Sequence, residues 1–97
     1  MNEVDRTLER IRINYEVYLP KFYELYSLVA RGDLSFNLER IRRFFLKYRK
    51  QMSEDEAHYL SITRKRSPYY DDFRKFADEL EEKIDLEIQW RMPCAVE

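Results

Sequence analysis

Apolar residues recur along this chain at intervals of three and four, the period of one face of a helix. Val4, Leu8, Ile11, Tyr15 and Tyr18 form a first stripe, which predicts a helix over about residues 3–19. Pro20 lacks an amide hydrogen and clashes one turn back, so the pattern predicts a break there and a second helix after it, with Phe22, Leu25, Tyr26 and Val29 as its stripe. Gly32 suits that helix's left-handed C-cap. Leu38, Ile41, Phe45, Tyr48 and Met52 give the clearest seam, and Asp33, Ser35 and Asn37 are the candidate caps before it. Ser53-Glu54-Asp55-Glu56 has the form of a capping box, predicting a further helix that ends in Arg64, Lys65 and Arg66. Ser67-Pro68, with Asp71 and Asp72 close behind, opens a last helix over about 68–91 whose seam is Tyr70, Phe73, Ala77, Leu80, Ile84 and Ile88. The fold expected is all-α: an antiparallel bundle of four to five helices with a long C-terminal helix, one domain over residues 1–97.

Composition narrows the classes. Apolar residues make up 44% and charged residues 38%, a globular mixture. Net charge is −1, so no global field draws the chain to nucleic acid or membrane. The local balance is uneven. Residues 31–66 carry ten basic and five acidic side chains, whereas residues 67–97 carry four and nine. Such asymmetry marks either a nucleic-acid face or two segments that face each other or are separately solvated. Gly32 is the only glycine, which removes the phosphate-cradling loops and nucleophile elbows that need several. Cys94 stands alone, so no internal disulfide forms and a reducing, cytoplasmic setting is expected. No stretch is apolar enough to span a membrane.

Candidate chemistry is thin. His58, the one histidine, and Cys94 lack any local motif of a nucleophile and base or of a metal site. The carboxylates Asp78, Glu79, Glu81, Glu82, Asp85 and Glu87 are spread around a helix rather than paired for acid–base work. Neither an enzyme nor a metal or other cofactor is expected.

Binding features are stronger. Leu86 and Trp90 lie on the far side of the last helix from its seam, beside the apolar tail that includes Met92 and Val96. Ile13 and Val17 lie opposite the first stripe, and Leu46 lies off the third. Clustered apolar residues off the core, with aromatics at 15% of the chain, predict a protein interface, for a partner or for a second copy. Arg40, Arg43, Lys47 and Lys50 line one side of the third helix and are the candidate nucleic-acid contacts, with Arg42 and Arg49 as a second row. Met52 to Thr63, MSEDEAHYLSIT, resembles part of a helix-turn-helix DNA-binding motif: Ala57 stands at its small-residue position and Ser61 at the turn usually held by glycine. The pattern departs downstream, where Pro68 opens a new helix within the expected recognition helix. Leu19 to Leu34, LPKFYELYSLVARGDL, resembles a segment of AT-rich interaction DNA-binding domains, without the paired glycine and tryptophan that follow there. The leading expectation is a small non-enzymatic helical interaction protein (an adaptor, inhibitor or small subunit of a larger assembly), and the alternative is a nucleic-acid-binding protein using the basic third helix.

Overall fold

The computed structural model describes residues 2–31 and 37–91, and among them every regular element is helical. α1 spans Glu3–Ile13, a π-helical segment follows over Asn14–Tyr18, and α2 spans Leu19–Ala30; α3 spans Leu38–Thr63 and α4 Tyr70–Arg91. The first three elements are continuous, so the described residues form three helices, not the four to five expected. Two of the predicted breaks are absent, each for a physical reason.

The first is at Pro20. In an α-helix its ring would meet the carbonyl one turn back. Here the preceding turn is wider: the Leu19 amide donates five residues back to the Asn14 carbonyl. Pro20 then occupies the first turn of α2, where a missing donor costs little. The Asn14 carbonyl also accepts from the Tyr48 hydroxyl of α3, so the π segment is tied laterally to its neighbour.

The second is at Ser53. α3 runs through it without a break. Glu56 does not return to Ser53; its buried carboxylate accepts from the Ser67 amide (2.9 Å) and the Ser67 hydroxyl (2.7 Å) in the joint to α4. The same continuity removes the helix-turn-helix geometry, because Ser61 lies inside a helix rather than at a turn.

The N-termini of α1 and α3 are capped conventionally, whereas α4 opens at Tyr70 rather than at 68 and the Ser67 hydroxyl, expected as its cap, donates to Glu56 instead. Asn2 Oδ1 accepts from the Asp5 amide, and Asn37, of the three candidates, caps α3 by accepting from the Glu39 amide. α3 closes on Arg64 in the left-handed region (φ 61°), with its amide donating to the Leu60 carbonyl. Gly32 lies outside the described residues.

Contacts fix the topology. Glu3 meets His58, Asn14 meets Tyr48 and Met52, and Phe22 meets Phe45, so the first helix and α3 are antiparallel. Tyr48 meets Phe73, Arg49 meets Asp78 and Arg42 meets Asp85, so α3 and α4 are antiparallel too. Tyr15 meets Tyr69 and Tyr23 meets Phe76, so the first helix and α4 run parallel. The result is an up-down-up bundle. Its core holds Ile11, Leu19, Val29, Leu38, Ile41, Phe45, Met52, Phe73, Ala77, Leu80 and Ile84. At mid-height Phe22, Phe45, Tyr48 and Phe73 form an aromatic cluster with ring centroids 5.0–5.8 Å apart. No helix among the described residues is long and apolar enough to cross a membrane.

Candidate interaction surface

α4 has two faces of different character. Phe73, Ala77, Leu80 and Ile84 enter the core, as their spacing predicts. Leu86 and Trp90 do not. Leu86 is 58% exposed and Trp90 86% exposed, one turn apart on the same side. With Tyr26 of α2 and the stems of Lys83, Glu87 and Gln89 they line an open groove of about 610 Å³ between α2 and the end of α4. Tyr23 borders the same inter-helix furrow farther down. Its hydroxyl donates to the Phe76 carbonyl (2.9 Å), and burial, together with the charge and hydrogen bonding of Glu79, pushes its phenol above the usual tyrosine range.

The other members of the expected interface are placed apart. Val17 is 40% exposed and Ile13 half-buried, but both sit midway along the first helix, level with the start of α4 where Tyr15 meets Tyr69, far along the axis from Trp90. Met92 and Val96 lie outside the described residues, as does Cys94. His58 Nε2 lies 2.8 Å from Glu3 Oε2 and ties α3 to the start of α1. Among the described residues no three His, Cys, Asp or Glu side chains are grouped to hold a metal ion.

The basic helix divides into two rows with different fates. Arg42 donates to Asp85 at 2.6 Å, and Arg49 donates to Asp78 and Glu81 at 2.5 and 2.6 Å. Burial works against the charge of Arg49, and the bonds to the two carboxylates outweigh it, so its guanidinium is held above its ordinary value. Part of the charge asymmetry between the two segments is therefore answered by pairing across α3 and α4. Arg40, Arg43, Lys47 and Lys50 instead lie on the exposed side of α3. Among them stands Phe44, 51% exposed, with the Arg40 guanidinium 5.7 Å from its ring centroid. Hydrophobic periodicity does not find Phe44, because it adjoins the core residue Phe45 and reads as part of the same seam.

No protein-family model matches this chain, nor does any curated protein or solved structure.

Proposed function

We propose that the chain is a small non-enzymatic helical interaction module, an adaptor, inhibitor or small subunit, that binds protein through the C-terminal end of α4. One observation carries this reading. A tryptophan and a leucine stand open on one face of a helix whose opposite face already completes the core. An indole exposed to this degree gains by burial in a partner's pocket, and Trp is prominent among the residues that dominate interface energies. Immobilised chain should capture protein from nuclease-treated native lysate, and the Trp90→Ala and Leu86→Ala variants should lose the captured bands. Bands that persist unchanged in both variants would remove α4 as the binding surface.

A second reading rests on the exposed row of Arg40, Arg43, Lys47 and Lys50 around Phe44. A row of four exposed cations, with Arg40 beside the open Phe44 ring, suits the phosphates and base faces of a single strand. Affinity for a labelled oligonucleotide should then fall steeply with salt and vanish when the four are changed to Glu. Absence of binding at low salt would dispose of this reading.

A further inference from the structure

Phe76, Glu79, Lys83, Leu86 and Trp90 follow one another on α4 at spacings of three, four, three and four. At 100° per residue they form a single stripe. All five are exposed, Phe76 at 37% and the two others as given above. The stripe is distinct from the core seam of Phe73, Ala77, Leu80 and Ile84, and borders the furrow with α2. Its mean period of 3.5 is that of a helix seam which faces another helix along its length.

The order of chemistry in the stripe is specific. From Phe76 to Leu86 it reads apolar, acidic, basic, apolar. Reversed, it keeps its apolar ends and exchanges its charges. Two such stripes laid antiparallel about a two-fold axis at residue 81 therefore match. Glu79 meets the partner's Lys83 and Lys83 meets the partner's Glu79, each about 3 Å along the helix from the axis at 1.5 Å per residue. Phe76 meets the partner's Leu86, and Leu86 the partner's Phe76, about 7.5 Å from it. One layer farther out Trp90 meets the partner's Asp72, an exposed carboxylate able to accept from the indole N–H. A two-fold contact requires this mutuality of every pair. A parallel alignment fails the same test, because it sets Glu79 on Glu79 and Lys83 on Lys83.

We infer that the occupant of this surface is a second copy of the chain, α4 against α4, antiparallel and centred on residue 81. The inference rests on the reading of α4 as a protein-binding face and names its partner.

Sedimentation equilibrium of the purified full chain, over micromolar to near-millimolar concentrations, tests it. The wild type should dimerise. Glu79→Lys and Lys83→Glu, each made alone, place like charges at both central contacts and should raise the dissociation constant by about ten-fold or more, since like-charge opposition across an interface is strongly unfavourable. The double variant restores opposite charges in exchanged positions and should return to within about three-fold of the wild type, because the same pairs re-form. Circular dichroism should show all three variants folded, and the two single variants check each other if either is not. A dimer that the double variant fails to restore overturns the register and orientation. A wild-type monomer throughout overturns the homodimer: if capture of another protein still depends on Trp90, the interaction module stands with a different occupant, and if it does not, both readings fall.

Discussion

Glu56 shows how one side chain decides where a helix hairpin turns. It is 1% exposed, and both its oxygens are used by Ser67, which is itself buried. Hydrogen bonds to a charged acceptor contribute about 1.5–3 kcal/mol, and a buried donor left without its acceptor costs about as much. Glu56→Ala should therefore lower the unfolding free energy by about 3 kcal/mol, read by urea denaturation. Glu56→Gln retains one acceptor and should lose less; equal losses in the two variants would show that the carbonyl contact adds nothing. Tyr48 is the other decisive residue. Its ring joins the aromatic cluster, its hydroxyl donates to Asn14, and burial pushes its phenol well above the usual range. A folded pKa raised above an unfolded value of about 10 means that the unfolded chain loses its proton first. The stabilisation is complete below about pH 10 and is lost as pH rises above it. Tyr48→Phe should cost about 1 kcal/mol at neutral pH, by loss of the hydrogen bond. It should also flatten the fall in melting temperature between about pH 9.5 and 11.5 relative to the wild type. Parallel alkaline profiles would mean that other tyrosines govern the transition.

At the scale of elements, the core faces of α3 and α4 and the outer helix ends were legible; the internal breaks were not. The first stripe fails at Tyr18, which is 46% exposed while Leu19, across the π segment, is buried instead. The seams Leu38-Ile41-Phe45 and Phe73-Ala77-Leu80-Ile84 are buried as periodicity predicts, because each residue faces the same neighbour whatever happens at the helix ends. Pro20 and Ser53–Glu56 misled for one common reason: local rules compete with distant partners. The π segment becomes tolerable once Tyr48 fastens its carbonyl, and Glu56 finds Ser67 eleven residues away. Exposure of Leu86 and Trp90 followed from their angle to the seam, whereas the separation of Ile13 and Val17 from them depends on the run of the first helix through Pro20. The charge blocks resolved into an interface between α3 and α4 only through the register of those helices. Arg49, with its side chain 23% exposed, anchors that register by reaching two carboxylates. Arg49→Glu turns two attractions into repulsions and should destabilise by about 1–2 kcal/mol at low salt, above the usual yield of a single exposed pair. The loss should shrink as ionic strength rises through about 0.5 M, where screening acts over a few ångströms. A loss that is independent of salt would assign the effect to the packing of the Arg49 stem instead.

Across the whole molecule the core and the proposed binding face share one helix, which makes their energetics separable. The bundle measures 54 × 27 × 18 Å, and its radius of gyration of 15.9 Å exceeds the roughly 12–13 Å expected of a compact domain of this length. Elongation spreads a small core thinly, so each core side chain has few substitutes. Total stability for such domains is about 5–15 kcal/mol. Ile84 is fully buried, and truncation to Ala removes transfer energy and leaves a cavity, together about 2–5 kcal/mol. Ile84→Ala should therefore depress the melting temperature by many degrees, since about 1 kcal/mol corresponds to roughly 4–8 °C at this size. Trp90 is the larger side chain, but it surrenders little contact in the isolated chain, and surface changes stay within about 0.5 kcal/mol. Trp90→Ala should leave melting nearly unchanged at a concentration where the protein is monomeric. At high concentration the wild type should melt at a higher temperature than at low concentration, because association stabilises only the folded form. The Trp90→Ala variant should lose that dependence. If Trp90→Ala instead lowers the melting temperature of the dilute protein as Ile84→Ala does, the indole belongs to the fold, and the face of α4 assigned to binding is holding the bundle together.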